Sequence, residues 1–218
     1  MIEANNDQLT FSFPEVHPDA RLVIEFQRTL RIPDGERDIP RLPSLGRYPV
    51  YTVEEHAQRV PRHWVDCGGA MLPMYQSEAL WINFDGDYPC AVKIAAGKFN
   101  AVTGDAWSNP LVREPQDYLV VPDQPWLDGF SVGKGLVRQF VAMALGEGYT
   151  AEEQLTGEAE HGGVQIVVYP MKRERYEALR KFRAEERYML SDMDMCLEAP
   201  CAMEMGLAPG GLMRQEIY

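Results

Sequence analysis

An apolar residue at every second position, repeated in segment after segment, is the feature that most constrains the fold of this chain. Between Arg21 and Ile32 the even positions are apolar apart from Arg28, and the odd positions are polar apart from Val23. Because successive side chains on a β-strand point to opposite faces, this pattern predicts a long strand with one buried face. Arg28 falls in the buried row, so it requires a carboxylate partner or a place where the sheet opens to solvent.

The alternation recurs in several other segments. It predicts strands at residues 80–84, 90–96 and 164–168, and shorter strands at 11–13, 48–53, 118–121 and 136–143. Turn sequences such as Asp85-Gly86-Asp87 separate these segments. We therefore predict a mainly β fold, either a β-sandwich or a distorted barrel.

Signals for helices are fewer. Thr52 and Thr150 each stand three positions before a glutamate, the capping-box pattern that starts a helix, and the first of these helices would run through Arg59. One longer, cationic helix is predicted near the C-terminus, from Lys172 to Met189. It either docks on the sheet or binds a partner by an apolar stripe, which consists of Tyr176, Leu179, Phe182 and Met189.

The length of 218 residues suits one β-rich domain, which we predict over residues 1–190. Residues 191–218 follow no hydrophobic period and contain several methionine and cysteine residues. We expect them to form an irregular C-terminal arm that packs on the body of the protein or on a neighbouring subunit.

The charge of the chain limits its partners and its location. The formal net charge is −12, so nucleic acid and anionic membranes are unfavourable partners, because binding either of them requires cationic groups. No apolar run is long enough to span a bilayer, so no membrane insertion is expected. The first residues lack a signal-peptide pattern, and the four cysteines then indicate reduced thiols in the cytoplasm.

A soft-metal site is one interpretation of the segment from 193 to 205. Its sulfur atoms would suit Cu(I), and the candidate ligands are Met193, Met195, Cys196, Cys201, Met203 and Met205. The alternative is that these side chains fill irregular gaps in the packing. Signatures for nucleotide cofactors are absent from the sequence, and no cofactor is predicted.

Two further segments carry groups that could act in catalysis. His161 follows Glu158 and Glu160, and a histidine beside carboxylates can act as a general base. Cys67 precedes two glycines, and a thiol on such a turn can be a nucleophile when a base activates it. A small hydrolase or transferase is the corresponding function. The competing interpretations are a surface histidine in a turn and a buried, unreactive thiol.

Two tryptophans lie in polar, turn-rich segments where a core position is not expected. Trp107 stands within residues 105–110, and Trp126 stands two positions before Asp128. Indoles in such loops stack on a small ligand or anchor a protein interface, or they cap the end of a sandwich. The order of the strands leaves open whether the two loops share one end of the sheet, beside residues 133–135.

Four blocks, residues 73–81, 91–104, 124–129 and 205–218, resemble stretches of an uncharacterised family of bacterial proteins. The resemblance implies neither a site nor an activity. Because the sequence contains no complete catalytic constellation, we predict a non-catalytic binding or assembly module. It would be oligomeric through self-association or through a protein partner.

Overall fold

A computed structural model describes residues 1–33, 42–133 and 135–194, with side chains described as far as residue 185. The chain divides into two compact units, Met1–Tyr176 and Glu177–Tyr218. The predicted C-terminal arm lies outside the described residues from position 195 onwards, so its packing stays a prediction. No helix within the described ranges is long and apolar enough to cross a membrane.

The first unit is built mainly from short strands. Its helices are α1 (Arg62–Cys67) and α2 (Ala151–Thr156), and α3 (Arg173–Asp194) begins in it and continues into the second unit. Its strands are β1 (Ile2–Asn5), β2 (Gln8–Ser12), β3 (Arg21–Thr29), β4 (Tyr51–Thr52), β5 (Ala70–Met71), β6 (Ala79–Asp85), β7 (Cys90–Ala96), β8 (Phe99–Asn100), β9 (Leu119–Val121), β10 (Trp126–Leu127), β11 (Gly129–Gly133), β12 (Leu136–Val141) and β13 (Val164–Pro170).

The largest sheet has seven strands in the order β1-β2-β3-β6-β12-β11, with β10 also paired to β6. All of these pairings are antiparallel. The strand predicted from Arg21 ends at Thr29, and Leu30 beyond it is 59% exposed. The predicted apolar rows are confirmed, because the inner face of the sheet buries Leu22, Ile24, Phe26, Leu80, Ile82 and Phe84.

A second, four-stranded sheet has the order β13-β7-β8, with β9 also paired to β7. Val92 and Ile94 of β7 belong to the same apolar cluster as Ile24 and Ile82 of the large sheet. Antiparallel sheets around a shared core confirm the predicted mainly β fold class, and α3 confirms the longer helix near the C-terminus. The strands β4 and β5 form a separate pair.

Arg28 occupies the inner row of β3, as the alternation requires. Its Nε lies 3.3 Å from Oε1 of Glu78, and its guanidinium carbon lies 4.3 Å from the ring centroid of Tyr48. The buried Tyr48 hydroxyl donates a hydrogen bond to the backbone carbonyl of Ala79. The arginine therefore has the predicted carboxylate partner, Glu78, and it also forms a cation–π contact with Tyr48.

The two capping-box patterns have different outcomes. Thr150 caps α2, because its Oγ1 accepts the Glu153 N–H while the Glu153 carboxylate accepts the Thr150 N–H. The helix predicted after Thr52 is wrong, since only a single 3₁₀ turn forms over Glu54–His56. Pro61 drives the residue before it out of the helical region, so a helix from Thr52 would be too short to hold. The helix α1 begins after that proline and was not predicted.

Tyr176 is the first residue of the predicted apolar stripe on α3. Its ring packs 4.2 Å from that of Tyr88 and 5.0 Å from that of His17, measured between centroids. Of the later stripe residues, Phe182 is 57% exposed, and the side chain of Met189 lies outside the described part of the chain.

Candidate functional site

The outer face of the large sheet is polar, and its side chains are ordered in rows across the strands. Glu25 of β3 pairs in register with Asn83 of β6, which in turn pairs with Trp126 of β10. On the other side, Gln8 of β2 reaches Glu25 with its side chain. We name this line of residues, Gln8, Glu25, Asn83 and Trp126, the Glu25 row. Each of the four is half-buried.

Glu25 is the centre of a hydrogen-bond network. Its Oε1 accepts from Gln8 Nε2 at 2.6 Å and from the Arg47 guanidinium at 2.9 Å. Its Oε2 accepts from Gln27 Nε2 at 2.8 Å and from Asn83 Nδ2 at 3.2 Å. Burial alone would raise the pKa of Glu25, but the hydrogen bonds from Gln8, Asn83 and Arg47 and the charge of Arg47 together lower it. The carboxylate is therefore ionised near neutral pH, and its charge is balanced by Arg47.

A second row lies beside the first. Arg47 forms a β-bridge with Gln27, and Gln27 pairs with Trp81 of β6. Ser44 donates its hydroxyl to Oε1 of Gln27, so both ends of this amide are engaged. The Nε1 of Trp81 is buried and has no hydrogen-bond partner among the described residues. We name the accessible part of the two rows the polar face; it comprises Gln8, Glu25, Arg47, Trp81, Asn83 and Trp126.

The structure separates the two tryptophans that the sequence singled out. Val121, which precedes Trp126, pairs with Cys90 at the start of β7, whereas Trp107 bonds to Lys98 just after the end of β7. The two indoles thus attach at opposite ends of one strand and do not share a site. The segment that links them includes β9, which runs antiparallel along β7. Trp126 therefore follows near the start of β7, whereas Trp107 lies near its end.

Each of these indoles is half-buried, and each forms the same kind of local bond. Trp107 Nε1 donates to Oδ1 of Asn109 at 2.9 Å, and Trp126 Nε1 donates to Oδ2 of Asp128 at 3.2 Å. Asp128 therefore orients the indole of Trp126. Trp126 lies on the polar face, which the sequence alone did not show.

A buried lysine fixes the loop that carries Trp107. Lys93 is fully buried, and its Nζ donates to the carbonyl oxygens of Ser108 at 2.5 Å and Pro110 at 2.7 Å and to Oδ2 of Asp117 at 2.6 Å. The same ammonium lies 5.3 Å from the Trp107 ring centroid. All three of its protons have acceptors, so this cluster holds the loop in place and offers no free amine for chemistry.

The cluster around Lys93 was missed by the sequence analysis. Lys93 stands in the polar row of β7, where the alternation predicts exposure, and both faces of this strand are buried instead. The only signal in the sequence is an aspartate, Asp117, at the end of a proline-containing loop, and spacing does not link it to the lysine.

The proposed acid–base residues lie on an exposed loop. Nε2 of His161 is 3.8 Å from Oε2 of Glu160, and the two side chains are 45% and 67% exposed. Glu158 is exposed as well. The helical face that would align Glu158 with His161 does not form, because α2 ends at Thr156 and Gly157 caps it in a left-handed conformation. A shallow surface recess lies elsewhere, lined by residues 54–59.

Glu152 is the group that organises this loop. Its carboxylate is buried and accepts the backbone N–H groups of Glu160, His161 and Gly162, the last at 2.7 Å. Burial raises the pKa of Glu152, but these three hydrogen bonds and the nearby His161 outweigh it, so the pKa is lowered. No motif indicates this role, because Glu152 stands inside the capping-box pattern, where a glutamate is expected to be exposed.

Cys67 is the last residue of α1, and it is exposed rather than buried. The glycines that follow it, Gly68 and Gly69, both adopt positive φ, a backbone conformation that favours glycine. His63 lies one helical turn earlier, but its ring packs against Trp64. No hydrogen bond or ion pair to this thiol occurs among the described residues. Cys90, in contrast, is buried, and burial raises the pKa of its thiol to about 12.

The proposed Cu(I) ligands fall outside the described part of the chain, apart from the backbone of Met193 in α3. Within the described residues, no three His, Cys, Asp or Glu side chains are arranged to hold a metal ion. The soft-metal interpretation therefore stays a prediction.

No family model matches the chain, and neither the curated proteins nor the solved structures contain a significant match to it. The structure shows a mainly β protein whose candidate site is the polar face of the large sheet. The resemblance to bacterial proteins stays a prediction.

Proposed function

We propose that this protein is a non-catalytic recognition module that binds its ligand on the polar face of the large sheet. The observation that carries the proposal is the Glu25 row with Arg47. Four donors from separate positions fill both oxygens of one carboxylate, so the side chains are held in place before any ligand arrives. Such preorganisation lowers the entropic cost of binding.

The candidate catalytic groups favour this proposal over an enzyme. Among the described residues, Cys67 lies on α1 without a base, and His161 lies on an exposed loop whose buried carboxylate is fully occupied by backbone donors. A nucleophile and its base need hydrogen-bond contact, and neither segment provides it.

A single indole offers the sharpest test of the polar face. We expect Trp126→Ala to weaken ligand binding at least about tenfold. An aromatic side chain that a bound partner buries contributes about 2 kcal/mol or more to the free energy of binding. The protein would be applied to arrays of immobilised glycans and peptides, and hits would be titrated by calorimetry. Trp64→Ala is the matched control, because Trp64 is 42% exposed on α1 and does not belong to the polar face.

The proposal requires a saturable ligand whose binding Trp126→Ala reduces and Trp64→Ala leaves unchanged. Equal binding by both variants, or no ligand on either array for the folded protein, would contradict it. Far-ultraviolet circular dichroism and thermal melting would establish that each variant is folded.

A second property, self-association, is favoured by the β11–β12 hairpin. Its apolar side chains Val132, Leu136 and Val137 are 48%, 64% and 62% exposed. We propose that copies of the chain meet through this hairpin, because exposed apolar groups close together mark interaction surfaces. The net charge of −12 opposes the association of copies, so the association should become stronger when salt screens this charge.

We expect light scattering to give a mass above that of the 24.7 kDa monomer, and Leu136→Glu to restore the monomer by placing a charge in the contact. Tyr75→Glu is the control, since Tyr75 is 80% exposed outside the hairpin. A monomer at every protein and salt concentration would refute the hairpin contact, and so would an oligomer that survives Leu136→Glu.

A further inference from the structure

We infer that the polar face binds a neutral, hydroxyl-rich ligand, namely a carbohydrate; this inference rests on the proposed function above. The carboxylate at the centre of the face is already paired. Both oxygens of Glu25 are filled by four donors, and Arg47 balances its charge. A metal ion requires a carboxylate oxygen that is free, and an anion requires a cation that is not already paired. The Glu25 row offers neither of them.

Two side-chain amides of the face are oriented by Glu25. Glu25 holds the NH₂ groups of Gln8 and Asn83, so their carbonyl oxygens point away from it. Neither carbonyl oxygen accepts a hydrogen bond from any described residue, and each NH₂ keeps a second proton. A sugar hydroxyl can donate to such an oxygen and accept from such a proton. The amides therefore match a ligand that presents several hydroxyl groups.

The face extends across several strands of the sheet. Gln8 and Asn83 stand on β2 and β6, on either side of β3, so about 10 Å separates their strands. This distance is longer than one sugar ring. We therefore infer a ligand of at least two sugar units that lies across the strands.

Indoles border the row of amides. Trp126 pairs in register with Asn83 and ends the Glu25 row, so a ligand that lies along the row reaches this aromatic side chain. Trp81 of the second row is half-buried, but its Nε1 is buried and therefore lies out of reach of a ligand on this face.

The position of the face argues against an extended peptide. Peptides in β conformation bind at the edges of sheets, where free backbone groups pair with them. The Glu25 row lies in the interior of the sheet, and the backbone of β3 is already paired with β2 and β6. A ligand there therefore meets side chains, and the amides among them can both donate to and accept from hydroxyl groups.

The test compares neutral glycans, sulfated or sialylated glycans, and peptides on one array, followed by calorimetric titration. We expect binding to neutral oligosaccharides, weakened at least about tenfold by Gln8→Met, which removes one amide from the face. Gln58→Met is the matched control, because Gln58 is exposed and lies in the segment after the 3₁₀ turn.

The outcomes separate the inference from the proposed function. Peptide binding that depends on Trp126 would overturn the carbohydrate class and leave the recognition module intact. Preference for sulfated or sialylated glycans would overturn the neutral ligand. Binding of neutral oligosaccharides that Gln8→Met leaves unchanged would overturn the role of the amides. A folded protein that binds nothing on the array would overturn both proposals.

Discussion

Lys93→Met is expected to lower the free energy of unfolding by about 3–5 kcal/mol, because it leaves the buried carboxylate of Asp117 without its countercharge. The substitution keeps the aliphatic part of the side chain, so the loss comes from the ammonium and its three acceptors. Urea denaturation followed by circular dichroism would measure it. Lys172→Met is the control, since Lys172 is exposed and its change should stay within about 0.5 kcal/mol.

A double-mutant cycle would show whether the lysine acts through Asp117. We expect the single changes Lys93→Met and Asp117→Asn to couple by about 0.5–3 kcal/mol, the range found for residues in contact. The Trp107 fluorescence should also change, because the ammonium lies near its ring. A loss below about 1 kcal/mol for Lys93→Met, or additive single changes, would show that this pair does not hold the loop.

The apolar core was predictable because it depends on local periodicity alone. Alternating residues such as Ile82 and Val92 must face inward on any strand, whichever strand lies next to them. The box at Thr150 was predictable for the same reason, since its two hydrogen bonds join residues three positions apart. The box at Thr52 failed because a proline further along the chain limits the length of the helix.

The candidate site was not predictable because it depends on which strands become neighbours. The Glu25 row joins residues from 8 to 126, and only the strand order and register place them side by side. A one-residue slip of register would turn Glu25 into the core. The sequence predicts Trp126 and Asp128 as candidate site residues. Their neighbours on β3 and β6 can be identified only from the strand order and register.

Glu152 illustrates the same limit at shorter range. Its three donors lie eight to ten positions further along the chain, across a turn whose path no motif specifies. The contact also depends on Gly97, whose φ is +55°, because a Cβ there would lie 2.7 Å from Cβ of Glu152. The helix α2, the β7–β8 turn and the loop at 160–163 thus meet at one carboxylate.

We expect Glu152→Gln to lower the free energy of unfolding at pH 7 by about 2–4 kcal/mol, since hydrogen bonds to a charged group contribute about 1.5–3 kcal/mol each. The amide keeps one acceptor oxygen but turns an NH₂ group toward backbone donors. Glu158→Gln is the matched control, because Glu158 belongs to the same loop and is exposed. Hydrogen exchange at residues 160–162 should accelerate in Glu152→Gln and stay unchanged in the control.

The effect should depend on pH in a defined direction. Because the pKa of Glu152 is lowered in the folded protein, its stabilisation is fully present above the ordinary glutamate pKa of about 4.3. It is lost as the pH falls through the lowered folded value, where the carboxylate takes up a proton. Glu152→Gln has no proton to take up, so the difference in unfolding free energy between it and the wild type should shrink as the pH falls from 5 to 3. A difference that stays constant over this interval would mean that the charge of Glu152 does not hold the loop, and that packing of its side chain against Gly97 does.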